Sequence, residues 1–284
     1  MKPFEFIVPK SIFETLEVLE VYSTDANILA GGTDLLIELR KSTAKAPTIV
    51  IDISRLQELK GIEEFDNDIC IKSLTTHSEI MESKVIQQFA PLLRQAVSTI
   101  GSPQIRNRGT IGGNIMNAAA CADTVPPLMA LDAMVKLQSV KGERLVPFID
   151  FFVKPYQTTA AKDEVLTEIR FPKLNNLAKG VFIKLGRRNA LAISRLSVAA
   201  ILQKTAGRLI QEARIVPGAA FPTWQRMTDA EKLLIGQQPS KELFAEAGKK
   251  VSEVMIFLAG KRWSTEYKEP VIAVLVRRAL EACQ

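Results

Sequence analysis

Two glycine-rich segments of the chain could bind phosphate groups. Glycine lets backbone amides approach a phosphate closely, and a turn that leads into a helix directs those amides at an anion. A single glycine pair is more often only a tight turn, but two such segments about eighty residues apart could hold both phosphates of one dinucleotide. The segments read Ile28-Leu29-Ala30-Gly31-Gly32-Thr33-Asp34-Leu35 and Thr110-Ile111-Gly112-Gly113-Asn114.

The approach to the second segment is unusually rich in glycine. Four glycines fall within the thirteen positions from Gly101 to Gly113, which suits a core strand poorly unless the backbone must contact a ligand. Neither segment matches the GxGxxG pattern of a Rossmann fold or the GxxxxGK[ST] pattern of a phosphate loop. Any dinucleotide held by these segments would therefore be bound in another way.

The residues that could carry other chemistry are scarce. Three scattered cysteines, Cys70, Cys121 and Cys283, supply neither a zinc site nor the four thiolates of an iron–sulfur cluster. His77 is the only histidine, which argues against Ser-His-Asp and Cys-His hydrolases. Any redox chemistry of this chain would therefore need an organic cofactor.

Composition indicates an ordinary globular protein of 284 residues, 47% hydrophobic and 24% charged. Its net charge of +6 is spread along the chain and forms no basic arm, so we expect no nucleic-acid role. No apolar stretch approaches the roughly 20 residues that span a bilayer, and no signal core precedes the first helix. We expect a cytoplasmic protein without a membrane span.

The elements around the first glycine segment form a small β-α-β unit. Ser11 and Glu14 have the form of a capping box, followed by a helix over about 12–22. The apolar run 27–30 predicts a strand that ends at the glycine pair, and 34–40 predicts a helix. The β-branched run 48–53 predicts the next strand.

The middle of the chain predicts a sheet of antiparallel or mixed strands with one long helix. Thr76 and Glu79 form a second capping box, and apolar residues at helical spacing predict a helix over about 85–100. Strand patterns fall at 69–71, 134–139, 143–147 and 165–171.

The polar stretch 173–179 predicts a domain boundary. Strand patterns follow at 182–186, 197–204 and 210–217, and helical patterns at 228–235, 241–258 and 267–282. We therefore expect an α+β chain with a first domain over 1–173, divided into about 1–56 and 57–173, and a second domain over 174–284.

The ordered set of motifs closely resembles the medium, FAD-binding subunit of molybdenum hydroxylases of the xanthine, carbon monoxide and nicotinate dehydrogenase type. The resemblance covers nearly the whole chain. It is carried by Ala30-Gly31-Gly32-Thr33-Asp34, Gln104-Ile105-Arg106-Asn107, Thr110-Ile111-Gly112-Gly113-Asn114, Asp123, and Tyr267 ahead of Val274-Leu275-Val276-Arg277-Arg278-Ala279-Leu280.

The resemblance implies a two-part FAD domain of the vanillyl-alcohol oxidase (PCMH) type, followed by a small antiparallel sheet with helices. Both glycine segments would hold the FAD pyrophosphate through backbone amides and hydroxyls. Asp123 would accept hydrogen bonds from the adenosine end. Ile100 and Leu166 would lie near the flavin, and Lys184 would stabilise the reduced isoalloxazine by charge.

The FAD implied by the resemblance would be non-covalent, since His77 and Cys121 fall in patterns typical of a helix start and of packing. The chain would receive electrons from a small [2Fe-2S] subunit and pass them to NAD or another acceptor. Hydroxylation would occur in a large molybdopterin subunit, whose substrate could be a purine, another N-heterocycle, an aldehyde or carbon monoxide. A free-standing FAD oxidoreductase and a flavin-free binding module of the same fold are the alternatives.

Overall fold

A computed structural model describes residues 3–41, 47–188, 190–260 and 264–284 of the chain. It is an α+β fold, as the sequence predicts, with parallel strands near the N-terminus and antiparallel strands elsewhere. Among the described helices, none has both the length and the apolar character needed to cross a bilayer.

The N-terminal unit is a three-stranded parallel sheet in the order β1-β3-β2. It confirms the predicted β-α-β unit and adds a short first strand. Ser11 caps the first helix by accepting from the Glu14 amide, but the Glu14 carboxylate accepts from Lys10, so only half of the predicted capping box forms. The elements are β1 (Glu5–Ile7), α1 (Ile12–Tyr22), β2 (Ala26–Leu29), α2 (Leu35–Arg40) and β3 (Ile49–Asp52).

The middle unit is an antiparallel sheet in the order β4-β5-β10-β6-β7, with short helices packed against it and a separate β8–β9 hairpin. Its elements are β4 (Ile62–Glu64), β5 (Asp68–Lys72), α3 (His77–Glu82), α4 (Lys84–Phe89), α5 (Pro91–Ser98), α6 (Pro103–Arg108), α7 (Ile111–Asn117), α8 (Val125–Ala130), β6 (Met134–Ser139), β7 (Gly142–Pro147), β8 (Phe152–Lys154), β9 (Gln157–Thr158) and β10 (Val165–Pro172).

The long helix predicted over 85–100 is wrong, because the structure divides it into α4 and α5 at Ala90. Pro91 lacks an amide hydrogen and its ring would clash with the preceding turn, so it is tolerated only as the first residue of a new helix. The predicted capping box of Thr76 and Glu79 is present in both halves and begins α3.

The C-terminal unit is an antiparallel sheet in the order β11-β12-β13, covered by helices. Each predicted strand and helix of this unit is present. They are β11 (Ala178–Leu185), β12 (Leu196–Lys204), β13 (Ile210–Gly218), α9 (Thr228–Leu234), α10 (Lys241–Ala259) and α11 (Thr265–Ala282).

Strand β12 is buried on both faces. Ala199 and Ile201 join the core of the middle unit, whereas Val198 and Ala200 join the core beneath α10 and α11. The side-chain oxygen of Gln95 in α5 accepts from the Phe182 amide in β11 at 2.7 Å. This packing brings the connection between β11 and β12 against the end of α5.

Candidate cofactor site

The two glycine segments lie against each other. A Cβ atom at Gly31 would be 2.0 Å from the carbonyl oxygen of Arg108, so only glycine permits this approach. On the other side, a Cβ atom at Gly113 would be 3.9 Å from the Cβ of Ala30. Segments about eighty residues apart therefore form one surface, which is the arrangement that binding a single dinucleotide requires.

The first segment presents a row of free backbone donors. Within the described part of the chain, the five consecutive amides of residues 31–35 donate no hydrogen bond, and the side chain of Asp34 does not cap α2. The first amide bonded in helical fashion is that of Leu36, to the carbonyl of Gly32 at 3.2 Å. Gly32 itself has φ +76°. Consecutive amides in such a turn suit an anion.

The second segment differs from the predicted loop. Residue 110 is the N-cap of α7 and accepts from the Gly113 amide through its hydroxyl, so the following glycines lie in a helical turn. The amides of Ile111 and Gly112 donate to the carbonyls of Thr75 and Ser73 at 3.0 and 2.8 Å. These amides therefore fix α7 to the turn after β5 and are already occupied.

Because these amides are occupied, the second segment has only side-chain groups left for contact with a ligand. The side-chain oxygen of Asn114 accepts from Thr124 at 2.6 Å, which orients the Asn114 amide group. A Cβ atom at Gly112 would lie 2.6 Å from the Cβ of Ser73, so this glycine serves packing within the fold. The Thr110 hydroxyl accepts from the amide of Gly113, and Gly113 in turn lies beside Ala30 of the first segment.

A buried ion pair forms the second part of the site. Asp123, between α7 and α8, accepts from the ammonium of Lys184 in β11 at 2.7 Å and from the hydroxyl of Ser194 at 2.5 Å. Lys184 also donates to the carbonyl of Thr99 at 3.1 Å. Burial raises the pKa of the Asp123 carboxyl, while Lys184 and Ser194 oppose that effect.

The two oxygens of Asp123 hold both ends of one loop. Lys184 and Ser194 flank the segment 186–193, described except at position 189, which connects β11 to β12. This 186–193 loop forms one wall of a cavity of about 280 Å³. The other lining residues are Thr99, Lys184 and Leu185.

Asp123, predicted at the adenosine end of FAD, and Lys184, predicted at the isoalloxazine end, lie in direct contact. The ammonium and the carboxylate are 2.7 Å apart. Lys184 also bonds Thr99, next to the half-buried Ile100, so the structure groups Asp123, Lys184 and Ile100 together. The adenosine role of Asp123 and the flavin role of Lys184 stay predictions.

Leu166 lies apart from this group. Its side chain, on β10, is 3% exposed and belongs to the core of the middle unit, and the lining of the cavity does not include it. Ser194, in contrast, belongs to the site and is missing from the sequence prediction. A serine in a polar connection carries no motif, so only the folded chain reveals its contact with Asp123.

The two residues considered for covalent attachment of flavin, His77 and Cys121, are both at least half-buried. His77 is 2% exposed and its ring packs behind Gly109, where burial, followed by the nearby Arg106, lowers the pKa of its imidazole to about 4. Burial, followed by Asp123, raises the pKa of the half-buried Cys121 thiol and so disfavours the thiolate. Within the described ranges, no group of three or more His, Cys, Asp or Glu residues could hold a metal ion.

Comparisons with known protein families cover nearly the whole chain. Residues 2–174 match the family described as the FAD binding domain in molybdopterin dehydrogenase. Residues 181–283 match the CO dehydrogenase flavoprotein C-terminal domain.

Individual relatives match over nearly their full length. The nicotine 6-hydroxylase medium subunit of Paenarthrobacter nicotinovorans is 33% identical, over 96% of this chain and 94% of that protein. The carbon monoxide dehydrogenase medium chain of Hydrogenophaga pseudoflava is 31% identical, over 98% and 96%. A solved structure of carbon monoxide dehydrogenase from Hydrogenophaga pseudoflava superimposes with a TM-score of 0.92 and 31% identity, over 100% of this chain and 98% of that one.

Proposed function

Because the chain belongs to the family of FAD-binding subunits of molybdenum hydroxylases, we propose that it binds one FAD non-covalently and transfers electrons within such a complex. The electrons enter from the iron–sulfur clusters of a small [2Fe-2S] subunit and leave to NAD+ or another soluble acceptor. A large molybdopterin subunit hydroxylates the substrate.

The observation that carries the proposal is the row of five free amides at residues 31–35, pressed against the second glycine segment. A pyrophosphate accepts several hydrogen bonds at once, and backbone donors at a tight turn supply them without a side-chain entropy cost. The first segment therefore holds the phosphates through its backbone. Thr110 and Asn114 add side-chain groups from the facing segment.

The flavin end of the cofactor lies at Ile100, Asp123 and Lys184. FAD supplies the capacity to take up and release electrons, and the chain tunes it by the charges placed beside it. Lys184 brings a buried positive charge, which favours negative charge nearby. Asp123 and Ser194 keep that ammonium in place.

The division of labour with partner subunits rests on the relatives and on the chain's own residues. The matched relatives are named as medium subunits or chains. The three cysteines of the sequence cannot ligate a four-thiolate cluster, so cluster-borne electrons have to come from another chain.

Purification of the chain alone tests this proposal. We expect a yellow protein with one FAD per chain that oxidises no purine, N-heterocycle or aldehyde, and that reduces artificial dyes from NADH at most weakly. Adding the small and large subunits of the complex should produce substrate oxidation. A colourless protein, or turnover of a substrate by the lone chain, would contradict the proposal.

A further inference from the structure

The turn between α5 and α6 presents three consecutive carbonyl oxygens to two cationic side chains. The Thr99 carbonyl accepts from the ammonium of Lys184 at 3.1 Å. The carbonyls of Ile100 and Gly101 accept from Nη1 of Arg106 at 3.0 and 3.3 Å. One cation belongs to β11 and the other to α6, so the turn is held from two separate parts of the fold.

The conformation of this turn leaves little room for change. Gly101 has φ +46°, and a Cβ atom there would lie 2.8 Å from the side chain of Ile105. The amides of Thr99 and Ile100 still donate to carbonyls in the last turn of α5, so the chain changes direction directly after them. Ile100 is half-buried against the core of the middle unit. The place of its side chain therefore depends on what holds the carbonyls of the turn.

Arg106 has more charge and more burial than a helix cap requires. The last carbonyls of a helix lack partners within it, so capping α5 is the ordinary role for a side chain in this position. The Nε of Arg106 is buried, however, and bonds no other described atom. Burial first and this guanidinium second lower the pKa of His77. Because burial of a guanidinium costs free energy that neutral carbonyls return only in part, the charge points to a role beyond capping.

The groups that Arg106 holds are those that the proposed function places at the flavin. Arg106 bonds the backbone of Ile100 directly. Through the same turn it fixes the Thr99 carbonyl, which accepts from Lys184. Thr99 and Lys184 line the cofactor cavity, whereas Arg106 is not among the lining residues. Any effect of Arg106 on a flavin therefore passes through the residues of the turn.

We propose that Arg106 is a positioning residue for the flavin, which holds the turn at residues 99–101 in place. Ile100 then packs against the isoalloxazine, and the Thr99 carbonyl keeps Lys184 beside it. The inference rests on the proposed function, since it assumes an FAD whose flavin lies at these residues. A guanidinium suits the task because its terminal nitrogen reaches one bond further than an ammonium and is held in a rigid plane. Lysine would preserve the charge and lose part of the hold.

The test compares Arg106→Met with Arg94→Met in the full-length chain. Arg94 is the matched control, because its Nε donates to the carbonyl of Met81 at 2.9 Å, so the same kind of contact is lost outside the proposed flavin end. Arg106→Met should weaken FAD binding at least about tenfold and change the visible circular dichroism of the bound flavin, which arises from the groups around the isoalloxazine. Its affinity for ADP, which has the adenosine and pyrophosphate but no flavin, should change less than about twofold. Arg94→Met should leave all three unchanged.

A second variant, Arg106→Lys, should give an intermediate affinity for FAD. Wild-type FAD affinity and visible circular dichroism in Arg106→Met, or in Arg106→Lys where Arg106→Met does not fold, would overturn the positioning role and leave the proposed function standing. Equal losses of FAD and ADP affinity would also overturn it, since Arg106 would then support the whole site and not its flavin end. A wild-type chain that binds no FAD would contradict the proposed function and this inference together.

Discussion

The ammonium of Lys184 lies 2.7 Å from the carboxylate of Asp123, and the two side chains are 11% and 6% exposed. Lys184 belongs to the C-terminal sheet and Asp123 to the segment between α7 and α8, so the pair joins two parts of the fold at the cofactor cavity. A buried pair costs much more when one partner is removed than when both are replaced.

Removal of one charge should therefore destabilise the chain strongly. We expect Lys184→Met to lower the free energy of unfolding by about 3 to 5 kcal/mol, because it leaves Asp123 buried and unpaired. The double variant Lys184→Met with Asp123→Asn should lose less than the single one. Lys141→Met is the control, since its pair with Asp163 is exposed to solvent and should contribute little to stability. Denaturant unfolding of the flavin-free protein measures all three variants, and a double variant that loses as much stability as Lys184→Met, or more, would contradict a coupled pair.

A second prediction separates cofactor binding from backbone strain. Gly32 and Gly236 have φ values of +76° and +80°, so an alanine at either position costs about 1 to 2 kcal/mol. Only Gly32 belongs to the row of free amides. We expect Gly32→Ala to weaken FAD binding at least about tenfold and Gly236→Ala to leave it unchanged. If both variants bound FAD with equal affinity, the assignment of the FAD pyrophosphate to the amides of residues 31–35 would be wrong.

The only histidine gives the chain a defined acid sensitivity. Burial holds the folded-state pKa of His77 at about 4, below its ordinary value of 6.5, so the unfolded chain binds the extra proton first as the pH falls. Stability from this group is complete above pH 6.5 and is lost between pH 6.5 and 4. Between about pH 7.5 and about pH 5, His77→Leu should lose about 2 kcal/mol less than the wild type. Equal losses in the two proteins would show that His77 titrates normally.

The cofactor should leave the chain without breaking a covalent bond. His77 is buried behind Gly109, and burial disfavours the thiolate of Cys121, so neither presents an activated nucleophile to a flavin. Acid precipitation should release the yellow colour into the supernatant from both the wild type and Cys121→Ser. Colour that stays in the wild-type pellet but leaves the Cys121→Ser pellet would identify a thiol linkage.

Much of the fold follows from local sequence signals. Apolar periodicity and β-branched runs predict the strands of the middle and C-terminal sheets, and Thr76 with Glu79 predicts the start of α3. These elements depend on neighbours a few residues away. The first glycine segment was identified for the same reason, since its chemistry lies in consecutive amides.

The rest depends on contacts between distant residues. The glycines of the second segment resemble a loop in sequence, yet Gly112 is required because α7 packs on Ser73, which lies in a turn far away in the chain. Asp123, Lys184 and Ser194 come from separate elements, and no spacing rule links them. The resemblance therefore predicts that Asp123 and Lys184 contact different ends of FAD, although the fold brings the two side chains into contact.

The central claim is that this chain transfers electrons only within a complex, through its FAD. Anaerobic stopped-flow absorbance at the flavin band tests it, with the chain mixed with substrate of the complex, first alone and then with the small and large subunits. We expect no flavin reduction in the lone chain and rapid reduction in the complete complex. Reduction of the lone chain's flavin by substrate, or a flavin that stays oxidised when substrate is mixed with the complete complex, would contradict the claim.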